Sequence, residues 1–149
     1  PVQVIWQTGK YYEREMREFL AQHPTANIWQ GTFIDRMDYA YAAADLVVSR
    51  SGACTVSELC LVAKPTLFVP SPNVAENHQY HNAMVLANHK AAVVIEEKDL
   101  TGEKLVQTVS EMLTQPGKLA EMGRNARSLS VDDSLDRIAA ALLELVKKA

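Results

Sequence analysis

Short apolar runs and longer amphipathic stretches alternate along the chain. An uninterrupted apolar run of about five residues is typical of a strand, and apolar residues three or four positions apart are typical of a helix. The runs predict strands at residues 2–6, 26–30 and 45–49, within 64–72, and at 91–96. The amphipathic stretches predict helices at residues 11–21, 35–44, 52–62 and 76–88, within 100–117, and at 116–129 and 132–148.

This order of elements predicts an α/β fold. Strands that alternate with helices pair in parallel through right-handed crossovers, and the helices then cover the sheet on both sides. The runs "LVV" and "LFV" fit this arrangement, because strands buried on both faces do not alternate apolar with polar residues. We predict one doubly wound, Rossmann-like parallel sheet in a single domain that spans residues 1–149.

Composition narrows the class of protein. The 149 residues are 48% hydrophobic and 22% charged, which is typical of a globular domain. A net charge of -3 argues against nucleic acid as a partner, and no apolar segment is long enough to span a bilayer. Cys54 and Cys60 lie on different faces of one predicted helix and cannot form a disulfide with each other. Two unpaired thiols without a Cys/His cluster indicate a reducing compartment, the cytoplasm, and no structural zinc.

The stretch "DLVVSRSGACTVSELC" turns from a predicted strand into a predicted helix. A helix N-terminus exposes unpaired N–H groups and partial positive charge, and Gly52 and Ala53 leave room for a phosphate to approach them. Thr55 adds a hydroxyl donor, and Glu58 on the same face could accept both hydroxyls of a ribose. Alternatively, Thr55 and Glu58 form a capping box that only starts the helix. The turn has neither a Walker lysine nor a G-x-G-x-x-G motif, so it does not indicate ATP or NAD.

A second polar cluster, "PSPNVAENHQYHNA", follows the next strand. Its amide and imidazole side chains both donate and accept hydrogen bonds, which suits a hydroxyl-rich ligand such as a sugar. The alternative is a capped surface helix with solvated polar residues. His78 and His81 have a zinc-like spacing, but no third ligand lies nearby in the sequence, so we expect no metal. No Ser–His–Asp set and no close pair of carboxylates indicates a catalytic centre.

The segment from "DLVVSRSGACTVSELC" to "AAVVIEEKDL" closely resembles the C-terminal half of the MurG family. The resemblance rests on S-G-A-x-T-x-x-E, then K-P-x-x-x-V-P, then N-H-Q-x-x-N-A, together with "QTGK" and "FIDRM" upstream. The family consists of bacterial transferases that move N-acetylglucosamine (GlcNAc) from UDP-GlcNAc to undecaprenyl-linked lipid I, making lipid II for peptidoglycan. The resemblance implies a two-domain GT-B glycosyltransferase, of which this chain is the donor-binding half.

The resemblance also implies which residues bind the donor. In the family, backbone and apolar groups of the loop equivalent to Phe33, Ile34 and Met37 meet the uracil. The segment equivalent to residues 51–55 faces the diphosphate, and the glutamate equivalent to Glu58 holds the ribose. Two consecutive polar residues, here His78 and Gln79, bind the GlcNAc hydroxyls. The expected donor-binding set is Phe33, Ile34, Met37, Arg50, Ser51, Gly52, Ala53, Cys54, Thr55, Glu58, Asn77, His78 and Gln79. No metal or other cofactor is expected, because the helix end can stabilise the leaving diphosphate.

The rest of such an enzyme is expected outside these residues. The family's N-terminal domain carries the lipid I site, the general base and the surface that contacts the cytoplasmic face of the inner membrane. From the resemblance we also expect the first strand and glycine-rich loop of the family's donor domain to lie outside this sequence, before Val2. We therefore expect no catalytic residue and no transfer by this chain alone, and we expect the helix at 132–149 to reach toward the other domain.

Three other identities fit parts of the sequence. One is the stand-alone donor-binding subunit of the eukaryotic dolichol-linked GlcNAc transferase, although "RSGACTVSE" and "NVAENHQ" favour the bacterial enzyme. A UDP-GlcNAc 2-epimerase would need an acidic and histidine catalytic set that we do not find. A non-catalytic flavodoxin-like interaction or receiver domain would need acidic residues clustered at strand ends, and Asp35, Asp38 and Asp45 do not lie in that pattern.

Overall fold

The structure is a computed structural model that describes residues 2–147. The chain divides into two compact units, Pro1–Ala44 and Asp45–Ala149, and each is described by itself. The predicted α/β class is confirmed, because the five strands of the described residues pair in parallel and alternate with helices. That residues 1–149 form a single domain stays a prediction.

The first unit contains two strands and two helices. They are β1 (Val4–Gln7), α1 (Gly9–Gln22), β2 (Ile28–Gly31) and α2 (Met37–Ala43). The two strands are parallel, from the pair Val4 and Ile28 to the pair Gln7 and Gly31. Gly9 follows β1 with a φ of 71°, a left-handed conformation in which glycine is not strained. The backbone N–H of Thr8 donates to the carbonyl of Gly31 at 3.0 Å and fixes this turn to β2.

The second unit contains three strands and five helices within the described residues. They are β3 (Val47–Ser49), α3 (Ala53–Leu61), β4 (Thr66–Phe68), α4 (His78–Asn88), β5 (Val93–Val94), α5 (Gly102–Leu113), α6 (Pro116–Ser128) and α7 (Ser134–Lys147). Short 3-10 turns precede α4 and α5. The strands form one parallel sheet in the order β3–β4–β5.

The central strand of this sheet is the most deeply buried. Leu67 and Phe68 of β4 are fully buried, as the prediction of a strand covered on both faces requires. Ile95, Met112 and Leu119 pack with Leu67 in the core, so α5 and α6 are held by apolar contacts. In β3, an edge strand of this three-stranded sheet, Val48 is 47% exposed, so the second unit by itself does not bury β3 on both faces.

The helix α6 lies very close to the turn that follows α3. A Cβ placed on Gly123 would collide with the carbonyl oxygen of Ala63. Only a glycine at position 123 lets the two backbones approach this closely. By contrast, a Cβ on Gly117, in the first turn of α6, would meet no atom within 4 Å.

The predicted helices are all present, with differences at their ends. The helix predicted at 76–88 begins at His78, because Glu76 and Asn77 have φ angles of 52° and 51° and are therefore not helical. The last helix is present as Ser134–Lys147, and its predicted end at Lys148 lies outside the described residues. Its large apolar side chains are mostly exposed, and that it reaches toward another domain stays a prediction. Within residues 2–147, no helix is both long enough and apolar enough to cross a bilayer.

Candidate functional site

The candidate site of the second unit lies where its three parallel strands end. Main-chain hydrogen bonds join the strand ends: Val69 donates to the carbonyl of Ser49, and Ile95 to that of Phe68, each at 2.9 Å. The chain then continues into three segments, the turn before α3, the loop before α4 and the 3-10 turn after β5. Ligands of open α/β sheets bind at this edge, where loops lead into helices.

The N-terminus of α3 is open. Gly52 occupies the N-cap position and has no side chain that could cap the helix, and the first turn has no acidic residue. The first intrahelical bond runs from Val56 N–H to the Gly52 carbonyl at 2.9 Å, so the N–H groups of residues 53–55 have no partner within the helix. These N–H groups and the helix dipole suit an anion.

The alternative of a capping box at Thr55 and Glu58 is wrong. The helix begins at Ala53, so Thr55 is its third residue and already helical, whereas an N-cap residue lies outside the helix. Glu58 is exposed one turn later, while Leu59 and Cys60 face the core. Burial raises the pKa of the Cys60 thiol. Cys54 is exposed in the first turn of α3.

Gly52 is not required by the backbone at the start of α3. Its φ of -63° and ψ of 150° are accessible to other residues, and a Cβ there would meet no atom within 4 Å. The glycine therefore leaves space in front of the helix end without being needed for packing. This is the arrangement that a ligand approaching backbone N–H groups requires.

Hydrogen bonds of Ser51 fix the turn before α3 to α4. This residue is completely buried, and its hydroxyl donates to the Gln79 carbonyl at 2.7 Å. The Asn82 side chain donates from Nδ2 to the Ser51 carbonyl at 3.1 Å. The sequence placed Ser51 at the phosphate through its position before the helix, and the structure shows that its side chain binds α4. Asn82 was part of the polar cluster but was not predicted as a site residue.

Arg50 joins the ends of all three strands. Its guanidinium Nη1 donates to the Val69 carbonyl at 3.0 Å and forms an ion pair with Glu97. Half of the Arg50 side chain is exposed. Glu97 was missed by the sequence analysis, and the only signal for it was its place directly after the fifth strand. Asn77 and Glu97 both line a cleft of about 290 Å³, together with Pro70, Pro72, Tyr80, Glu96 and Lys98.

The start of α4 presents two side chains with fixed hydrogen-bonding polarity. Nδ1 of His78 lies 2.9 Å from the Ala75 carbonyl, so this nitrogen must carry the proton and Nε2 of the neutral ring is an acceptor. The Gln79 oxygen Oε1 accepts from the Ser71 backbone N–H at 3.0 Å, which leaves its NH₂ group as a donor. Adjacent acceptor and donor groups suit neighbouring hydroxyls of a sugar.

The predicted base-binding residues belong to the first unit. Phe33 is 66% exposed, and Met37 is the first residue of α2. The backbone N–H of Ile34 donates to Oε1 of Gln7 at 2.9 Å, which ties this loop to the end of β1. Gln7 was not predicted as a site residue.

Charged residues also surround this loop. Arg36 pairs with Asp38 at 2.6 Å and lies 3.8 Å from the centre of the Tyr39 ring, and the pairing lowers the pKa of Asp38.

Within the described part of the chain, no three His, Cys, Asp or Glu side chains cluster in a way that could hold a metal ion.

The comparison with known families decides the class of this fold. The profile of the glycosyltransferase family 28 C-terminal domain matches residues 1–138. The chain belongs to glycosyltransferase family 28. The resemblance that the motifs indicated is therefore confirmed, as is the GT-B type of α/β fold.

Curated relatives match nearly the whole chain. A protein of Parabacteroides distasonis is 46% identical over 147 residues, which are 99% of this chain and 40% of the relative. A protein of Porphyromonas gingivalis is 45% identical over 146 residues, which are 98% of this chain and 38% of the relative. Both are named UDP-N-acetylglucosamine--N-acetylmuramyl-(pentapeptide) pyrophosphoryl-undecaprenol N-acetylglucosamine transferase. The chain thus spans about 40% of the length of these relatives.

A solved structure gives the same result for the fold. The crystal structure of Acinetobacter baumannii MurG superposes with a TM-score of 0.83 and 30% sequence identity. The match covers 100% of this chain and 42% of that one.

Proposed function

We propose that this chain binds the donor of a transferase that moves GlcNAc from UDP-GlcNAc to lipid I and so makes lipid II. The names of relatives that are 46% and 45% identical over nearly the whole chain support the substrates. The observation that carries the proposal is the open N-terminus of α3, with N–H groups at residues 53–55 and empty space at Gly52.

The diphosphate of the donor is assigned to this helix end. The N–H groups of Ala53, Cys54 and Thr55 donate to its oxygens, and the helix dipole adds partial positive charge. The charge of Arg50 is compensated by Glu97, so Arg50 contributes mainly by fixing the turn to the strand ends. During transfer, UDP leaves as an anion, and N–H groups that are already oriented stabilise it without a metal.

The ribose and the sugar are assigned to side chains on either side of the diphosphate. Glu58 accepts hydrogen bonds from both ribose hydroxyls, because one carboxylate has room for two donors. On α4, Nε2 of His78 accepts from one GlcNAc hydroxyl and the NH₂ group of Gln79 donates to another. Asn77, the N-cap of α4, completes the sugar side.

The base and the acceptor are assigned on the family resemblance alone. Phe33, Ile34 and Met37 are proposed to contact the uracil. Binding of lipid I, the general base and attachment to the cytoplasmic face of the inner membrane are proposed for the whole transferase. The relatives are longer than this chain, which leaves room for those functions elsewhere in them.

The proposal is tested by titrating the chain with UDP, UDP-GlcNAc, FMN and NAD. We expect UDP and UDP-GlcNAc to raise the melting temperature and to release or absorb heat in calorimetry, and FMN and NAD to do neither. Stabilisation by FMN or NAD, or no binding of UDP at millimolar concentration, would overturn the proposed function.

Replacing Glu58 should weaken UDP through the ribose. In Glu58→Ala, both accepted hydrogen bonds are lost, and we expect UDP to bind about tenfold or more weakly. 2′-Deoxy-UDP keeps only the 3′-hydroxyl, so the same change removes one hydrogen bond instead of two and should weaken this ligand less than UDP. Calorimetry of both ligands checks this, with Glu121→Ala as a control because that exposed carboxylate lies on α6. Equal losses for UDP and 2′-deoxy-UDP would contradict the assignment of Glu58.

Replacing His78 should distinguish the sugar from the nucleotide. In His78→Ala, one acceptor for a GlcNAc hydroxyl is lost, so UDP-GlcNAc should weaken by about fivefold to tenfold while UDP changes little. The matched control is His89→Ala, because Nδ1 of His89 lies 2.8 Å from the Val85 carbonyl in the same kind of contact at the other end of α4. If UDP and UDP-GlcNAc weaken equally, His78 does not contact the sugar.

A further inference from the structure

Two hydrogen bonds join the turn before α3 to α4, and a third fixes the Gln79 side chain to the loop before α4. Ser51 donates to the Gln79 carbonyl at 2.7 Å, Asn82 donates to the Ser51 carbonyl at 3.1 Å, and Ser71 donates to the Gln79 side chain at 3.0 Å. The first two bonds use both the hydroxyl and the carbonyl of one residue. The turn before α3 is therefore held against α4 by a residue that is completely buried.

These hydrogen bonds lie directly next to the residues assigned to the diphosphate and to GlcNAc. The Ser51 carbonyl belongs to the peptide unit that leads into Gly52, directly before the N–H groups assigned to the diphosphate. The backbone carbonyl of Gln79 accepts a hydrogen bond from the Ser51 hydroxyl, and the side chain of Gln79 is assigned to GlcNAc. Buried polar groups are costly when they lose their partners, so the turn and α4 cannot shift separately without breaking these bonds.

We propose that Asn82 and Ser51 are positioning residues that hold the phosphate-binding turn and the sugar-binding start of α4 in one arrangement. A ligand that orders one segment then orders the other, so the diphosphate and the sugar bind cooperatively. This inference rests on the proposed function, because it uses the same two subsites. Neither Asn82 nor the Ser51 hydroxyl contacts the donor in this assignment.

The test replaces the Asn82 donor without adding charge. Asn82→Leu keeps a similar volume but cannot donate to the Ser51 carbonyl, and we expect UDP to bind about tenfold more weakly. Uridine, measured by ligand-observed NMR, should bind as it does to the wild type, because it has no diphosphate. The matched control is Asn125→Leu, since Asn125 donates from Nδ2 to the Lys90 carbonyl at the same distance of 3.1 Å, and it should leave both affinities unchanged.

A second measurement uses the unchanged chain. UDP has no GlcNAc, yet it should slow amide hydrogen exchange at residues 78–82 as well as at residues 52–56. Protection confined to residues 52–56, or normal UDP binding by a folded Asn82→Leu, overturns the coupling alone. Equal losses of UDP and uridine in that variant also overturn it, because they indicate general destabilisation. A wild type that does not bind UDP overturns the proposed function itself.

Discussion

Carboxymethylation of Cys54 with iodoacetate should abolish most UDP binding, while Cys60 in the same helix stays unmodified. Cys54 is exposed in the first turn of α3, so the added group lies among the N–H groups assigned to the diphosphate. Repulsion between its carboxylate and a phosphate about 4 Å away is worth about 1–4 kcal/mol. The group also blocks the space in front of the helix. The repulsion and the steric block together should lower the affinity for UDP by at least about tenfold.

The second cysteine is an internal control for this reaction. Cys60 is only 3% exposed, and burial raises its pKa, so little reactive thiolate forms there. Mass spectrometry of peptides should find the adduct on Cys54 alone, and saturating UDP should slow its formation. Cys54→Ser should bind UDP and keep that binding after iodoacetate treatment. Normal UDP binding by fully modified protein would show that the diphosphate lies elsewhere.

Gly123→Ala should have the largest effect on stability. The new Cβ would collide with the Ala63 carbonyl, a backbone atom that cannot move away as a flexible side chain would. Forcing α6 and the turn after α3 apart should lower the free energy of unfolding by about 1–3 kcal/mol. This loss should exceed the small gain of about 0.5–1 kcal/mol that alanine normally brings inside a helix.

Gly117→Ala is the matched control, because it makes the same substitution in the same helix without a collision. It should leave the free energy of unfolding unchanged or raise it by up to about 1 kcal/mol. Chemical denaturation of both variants measures whether the free energy of unfolding falls in Gly123→Ala and stays equal or rises in Gly117→Ala. An equal or higher stability of Gly123→Ala would mean that the two backbones are not in close contact. Folded Gly123→Ala should still bind UDP, since the contact lies away from the strand ends.

The sequence alone was sufficient for the elements and for the family. Apolar runs identified the strands of the described residues. In β4 the reason is burial, because a strand covered on both faces must carry apolar side chains, as at Leu67 and Phe68. The helix after β3 was indicated by the change from a continuous apolar run to apolar residues three or four positions apart. The small residues before it indicated an open N-terminus. These signals are local, since each depends on residues within one or two turns of the chain.

Local patterns also limited what the sequence could predict. Thr55 and Glu58 have the spacing of a capping box, but only the backbone conformation shows that Gly52 is the N-cap. The left-handed residues Glu76 and Asn77 delayed the start of α4 by two positions. Asparagine adopts this conformation more readily than most residues, but glutamate seldom does, so the sequence did not indicate two successive left-handed residues. Helix ends depend on backbone angles that the fold imposes, so propensity alone does not locate them.

The tertiary structure alone decided which polar residues hold the site. Ser51 binds Gln79 across 28 positions, Asn82 binds Ser51 across 31, and Arg50 pairs with Glu97 across 47. A hydrogen bond needs its partners within about 3 Å with good alignment, and that geometry arises only when the strands have paired and the helices have packed. The sequence therefore determined the strands, the helices and the chemistry at the strand ends, whereas folding selected the partners that fix this chemistry in place.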